Sequence, residues 1–150
     1  MEVIAWSENL TAEAAAEAGA TAVGRDELFE RSDVLTIHTR LSDRTRGLVG
    51  ARELALMKPT ALLVNTSRGP IVDEDALLAA LRKGAIAGAA LDVYAKEPLP
   101  EDSELREAPR TLLTPHLGYV STGTYEVMYR DAVEDVAAWM RGEPVRVLNA

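Results

Sequence analysis

The sequence predicts an α/β domain built on a doubly wound parallel sheet, and three observations lead there. Short apolar runs alternate with helix-patterned segments along the chain, an order that calls for strand–helix–strand crossovers. Several runs, such as 33–38 (DVLTIH) and 61–65 (ALLVN), are apolar at consecutive positions, as strands covered on both faces must be. Aromatic residues are 5% of the chain within a hydrophobic fraction of 47%, so Ala, Leu, Val and Ile must build the core. At 150 residues there is room for one domain with a sizeable core and hardly for two.

The elements follow in order. Residues 2–6 (EVIAW) read as a strand, and 11–18, rich in helix-forming Ala and Glu, as a helix stopped by Gly19. A brief strand at 21–23 and a short helix at 26–31 lead to the strand 33–38. The helix 51–57 must end before Lys58-Pro59, because proline cannot continue it. Strand 61–65, loop 66–70 (TSRGP) and helix 73–83 make the clearest unit. Asp73 caps that helix, Glu74 and Asp75 suit its positive end, and Gly84 closes it; Ala76, Leu77, Ala80 and Leu81 share one face. Residues 86–93 (IAGAALDV) and 111–114 return as strands. A long helix over 122–141 carries Tyr125, Met128, Ala132, Val136 and Trp139 or Met140 along a stripe expected to lie on the sheet, and 145–148 is expected as a terminal strand.

Charge and composition exclude several function classes. The formal charge is −8, with 24 acidic against 16 basic residues, which repels nucleic-acid phosphates. No apolar run is long enough to span a membrane, the first residues do not resemble a signal peptide, and there is no cysteine for a disulfide or thiolate metal site. No metal is expected, and a cytoplasmic location is the default.

Ligands of open parallel sheets sit beyond the carboxyl ends of the strands. The residues to question are therefore Ser7, His38 to Arg40, Asn65 to Arg68, Asp92 and His116. Taken singly they are bland: a loop arginine is ordinarily a solvated charge, a histidine after Thr-Pro is more often structural, and Glu97 in KEPLP looks like any loop acid. Taken together, Arg68, Glu97 and His116 follow strands that should be parallel and can converge on one rim. The arginine's planar fork suits a carboxylate, and a glutamate beside a histidine suits proton transfer.

The stretch ALMKPTALLVNTSRGPIVDEDALLAALRKGAIAGAALDVYAKEPLP, followed by TLLTPHLGY, strongly resembles the NAD-dependent D-2-hydroxyacid dehydrogenases, with NTSRG, ALDVY, EPLP and TPH in family order. The resemblance implies a Rossmann-type sheet and hydride transfer between a nicotinamide cofactor and a small 2-hydroxy or 2-keto acid. It implies that Arg68 binds the substrate carboxylate and keto oxygen, that His116 is the acid/base, and that Glu97 orients this histidine and raises its pKa. Asp92 matches a contact to the nicotinamide carboxamide. Asn65, Thr66 and Ser67 match a loop along the cofactor, Gly118 a glycine near the nicotinamide, and Thr39, Arg40 and Thr45 the adenine side. Full-length members of the family are usually homodimers.

Three departures shape what is expected. No G-x-G-x-x-G occurs among the ten glycines, and in the family that fingerprint precedes the strand matched by EVIAW. The chain is therefore expected to be an N-terminally truncated, partial dinucleotide-binding domain over 1–150, without the substrate domain. A gap is expected between the EVIAW and ALLVN strands, with reduced stability, self-association, weak NADH binding and little activity alone. Ser7 stands where the family often has an aspartate for the adenosine ribose, so NAD is the first choice and NADP stays open. His38-Thr39-Arg40-Leu41 replaces a common His-x-Pro-Leu; His38 is expected to be packed, and Arg40 to meet a phosphate, the adenine or water. The alternative is a non-enzymatic binding or assembly module on the same fold, like the corepressors that resemble this family. Which acid fits is not legible, since most of the substrate pocket comes from residues outside this chain.

Overall fold

Capping chemistry sets the helices where the sequence places them. In the computed structural model, which describes residues 1–148, α1 (Ala12–Glu17) starts where the Thr11 hydroxyl accepts from the Ala14 amide, and α2 spans Arg25–Arg31. In α3 (Ala51–Leu56) no hydroxyl caps the first turn; the Glu53 carboxylate reaches back to the Gly50 amide at 3.1 Å. For α4 (Glu74–Lys83), Asp73 accepts from the Ala76 amide at 3.0 Å, and Gly84 closes the helix at φ 68°, a conformation that costs glycine nothing. The last helix, α5 (Thr122–Met140), starts at Ser121, whose hydroxyl accepts from the Thr124 amide.

The chain divides into two compact units, Met1–His116 and a second that begins at Leu117. In the first, β1 (Ile4–Ala5) pairs in parallel with β2 (Thr21–Ala22) as a two-stranded sheet. A separate parallel sheet holds β3 (Val34–Ile37), β4 (Leu62–Asn65), β5 (Gly88–Leu91) and β6 (Thr111–Leu113), in that spatial order. Every pairing is parallel, as the alternating pattern requires. Because β4 is bonded to β3 on one side and β5 on the other, the expectation of a gap beside the ALLVN strand is corrected. Among the described residues the larger sheet ends at β3 on one side and at β6 on the other.

Register sorts the side chains into two faces. Leu35, Leu63 and Ala89 align across the sheet, as do Ile37, Asn65 and Leu91, and all six are buried. Against them pack Leu54 and Met57 of the α3 segment, Leu77 and Leu81 of α4, and Ile71 from a short 3-10 turn at Gly69–Ile71. Leu77 and Leu81 are buried, each contributing about 2–3 kcal/mol by removal from water. The other face differs: Val34, Leu62 and Leu112 are 55%, 45% and 65% exposed.

Two further expectations are corrected. Residues 145–148 form no strand, and the Arg146 guanidinium instead pairs with Glu134 and Asp135 of α5 at 2.5 and 2.7 Å. The stripe on α5 is not buried: Tyr125, Met128, Val136, Trp139 and Met140 are exposed, and the buried residue of the helix, Ala138, lies off the stripe. Asp131, at 3.4 Å, is a third acid of α5 that pairs with Arg146.

Candidate active site

Each strand of the larger sheet hands its chain to a loop at the same rim. At the end of β4, Asn65 is buried and folds the following loop: its side-chain oxygen accepts from the Ser67 amide at 3.0 Å, and its amide nitrogen donates to the Arg68 carbonyl at 3.0 Å. Such a turn is what asparagine's paired donor and acceptor favour. Ser67 ties this loop to the one beyond β3 by donating its hydroxyl to the Thr39 carbonyl at 2.5 Å. Arg68 is thereby presented outward, its guanidinium donating to the Ser67 carbonyl at 2.7 Å. Gly69 then turns in against the Tyr94–Ala95 peptide, where an added Cβ would stand 1.9 Å from the Tyr94 carbonyl carbon. No side chain fits there.

Beyond β5, Asp92 is buried and accepts the Thr114 hydroxyl at 2.5 Å. Glu97 follows three residues after Tyr94 and splits its carboxylate between two partners. One oxygen accepts from the Tyr94 amide at 2.9 Å, and the other lies 2.7 Å from Nδ1 of His116. The His116 ring, then the Tyr94 amide, hold this carboxyl below the usual glutamate value, and the Arg68 charge acts in the same direction. His116 itself has φ 57°, uncommon for a residue with a side chain, and its amide donates to the Thr114 carbonyl at 3.1 Å.

The structure therefore brings Glu97 and His116 into contact and puts Arg68 within electrostatic reach of Glu97. The other predicted positions are distributed over several loops. Ser7 is exposed after β1, and Thr66 and Arg40 are exposed. Thr45 donates to the Arg40 carbonyl at 2.7 Å and accepts from the Ser42 amide at 2.8 Å, so its hydroxyl knots its own loop. Gly118 lies in the second unit. The expected packing of His38 is corrected: it is exposed, with Nε2 3.0 Å from the Thr36 hydroxyl. Sequence reasoning missed Gly69, Tyr94 and Thr114. Gly69 carried a legible signal, a glycine directly after the candidate arginine; the other two depend on tertiary neighbours.

A dinucleotide was the expected cofactor, and part of the rim fits one. Asp92, fixed by Thr114, together with the Thr66 hydroxyl and the Asn65–Ser67 turn, offers the acceptors and donors that a nicotinamide carboxamide and its ribose require. No glycine-rich turn in this sequence supplies the backbone amides that hold a pyrophosphate.

Comparison with known proteins shows the family and the fold. Residues 1–118 match the NAD binding domain of the D-isomer specific 2-hydroxyacid dehydrogenases. The chain is 45% identical over 118 residues to the glyoxylate/hydroxypyruvate reductase B of Enterobacter agglomerans, covering 79% of this chain and 36% of that protein. It is 42% identical over 150 residues to the glyoxylate reductase of Aeropyrum pernix, covering 99% and 45%. Among solved structures, the D-lactate dehydrogenase with NAD+ from Lactobacillus jensenii superposes with a TM-score of 0.82 at 29% identity, covering 99% of this chain and 48% of that one. The chain thus spans less than half the length of the relatives it matches.

Proposed function

The chain belongs to the D-isomer specific 2-hydroxyacid dehydrogenases, matching their NAD-binding domain, and on that premise we propose that it forms the nicotinamide-side half of an active site for small 2-keto and 2-hydroxy acids. The observation that carries this reading is the Glu97–His116 contact of 2.7 Å on the rim that also bears Arg68. NAD, when bound, supplies or takes up the hydride. Anion binding and proton transfer fall to this chain's own side chains. Arg68, charged at any working pH, binds the substrate carboxylate and stabilises negative charge on the keto oxygen. His116 gives a proton to that oxygen during reduction and removes it during oxidation. Glu97 holds the ring at Nδ1, so that proton transfer to the substrate oxygen falls to Nε2. The Asn65 turn holds Arg68 in place, and the buried Asp92 orients the carboxamide.

A chimera tests the proposal. Residues 1–150 replace the homologous segment of the Aeropyrum pernix glyoxylate reductase, whose remaining sequence completes that protein. NADH-dependent reduction of glyoxylate or hydroxypyruvate is expected, and loss of it in a His116→Gln chimera. A chimera that folds, binds NADH and reduces neither acid contradicts the proposal and favours a binding module.

A further inference from the structure

Arg68, Glu97 and His116 stand on three different loops, and each of those loops rests on one residue that takes no part in the proposed chemistry, Tyr94. Its amide donates to one Glu97 carboxylate oxygen at 2.9 Å. Its hydroxyl donates to the Thr114 carbonyl at 2.8 Å, with the Leu91 carbonyl at 3.2 Å as a second, longer acceptor. That same Thr114 carbonyl accepts the amide of His116. Against its carbonyl packs Gly69, the residue after Arg68, closer than any side chain permits. We propose that Tyr94 is the positioning residue of this site, its amide fixing the carboxylate that orients the His116 ring and its hydroxyl fixing the carbonyl from which the His116 backbone hangs.

The proposal rests on the Glu97–His116 reading above and deepens it. A left-handed backbone at a non-glycine residue persists only where its surroundings determine it. At His116 the surroundings include a phenol that is 6% exposed and, through burial, holds its proton more tightly than a free tyrosine. The hydroxyl is thus a constant donor across working pH. Phenylalanine would keep the ring's packing and the amide bond to Glu97, yet leave the Thr114 and Leu91 carbonyls without that donor. A tyrosine that merely fills the core would lose stability on this change without moving the His116 ring.

Nitrogen-15 NMR of this chain with labelled histidine separates the two roles, since the sequence has two histidines and His38 serves as internal control. At alkaline pH the Glu97 bond should keep neutral His116 in its Nδ1–H tautomer. Tyr94→Phe is expected to transfer most of the His116 signal to the Nε2–H tautomer, as Glu97→Ala does, leaving His38 unmoved. If Glu97→Ala shifts the tautomer and Tyr94→Phe does not, the positioning role is overturned and the proposed function stands. If Glu97→Ala itself changes nothing, the Glu97–His116 pair fails, and both proposals with it. Should Tyr94→Phe not fold, wild-type protein with Cζ-labelled tyrosine in mixed light and heavy water gives the answer. Resolved isotope-shifted Tyr94 signals, meaning a slowly exchanging hydroxyl, support the role; one averaged signal overturns it.

Discussion

A carboxylate oxygen 2.7 Å from an imidazole nitrogen constrains both groups, and the consequences are measurable one residue at a time. In the chimera, Arg68→Lys keeps the charge but loses the planar fork, and His116→Gln removes the proton carrier. Each is expected to lower kcat/KM by roughly 10²–10⁴-fold, with NADH affinity little changed. Equal activity in either variant would remove that side chain from the mechanism. Glu97 yields a pH signature in stability. Its carboxyl is held below the ordinary value of 4.5, first by the His116 ring and then by the Tyr94 amide. A folded-state pKa below the unfolded one contributes stability that is complete above the unfolded value and is lost as pH falls through the folded one. The difference in urea-unfolding free energy between wild type and Glu97→Gln should therefore hold steady from about pH 6 to pH 5 and shrink below that. Solvent reaches this carboxylate, so the difference is small. A gap that grows in acid would reverse the assignment.

Whole elements carry the next set of consequences, and they show which parts of the sequence were legible. Asp73→Ala removes the side-chain cap of α4 and should cost about 1 kcal/mol in urea or thermal unfolding. Gly69→Ala pushes a methyl group into the Tyr94 peptide and should cost about 2–3 kcal/mol while displacing the Arg68 loop. An unfolding midpoint unchanged by Gly69→Ala would mean that this loop is not seated as described. The α4 boundaries could be read from Asp73 and Gly84 because caps are local chemistry, and the parallel sense of β3 to β6 followed from alternation, whereas the neighbours of β4 did not. The terminal strand at 145–148 could not, because β-branched residues mark a strand only where a sheet edge receives them, and Arg146 turns instead to the acids of α5. The α5 stripe was legible as apolar, but periodicity names a face without naming what covers it. At the site, Arg68, Glu97 and His116 were visible because their residue types carry chemistry. Tyr94 and Thr114 were not, since a backbone carbonyl shared by two donors leaves no mark in sequence.

For the molecule as a whole, two opposing forces decide whether copies of the chain stay apart. Attraction is expected from the outer edge of β3, which among the described residues has no partner strand on that side in the larger sheet, and from the face bearing Val34, Leu62 and Leu112. Covering each of these half-exposed side chains would contribute about 1 kcal/mol. Repulsion comes from the formal charge of −8. Salt acts on the second force and hardly on the first, because the Debye length shortens from about 30 Å at 0.01 M to about 8 Å at 0.15 M. Sedimentation velocity should accordingly show concentration-dependent association that strengthens as salt is raised. Val34→Lys, which puts a charge on the open edge strand, and Leu112→Glu, which puts one on the exposed face, should each return the chain toward monomer. If wild type sediments as a monomer at every concentration and salt, the edge and the face are too weak to drive contact. If association instead falls with salt, charge pairing rather than apolar burial holds the copies together, and neither substitution should matter in the way stated.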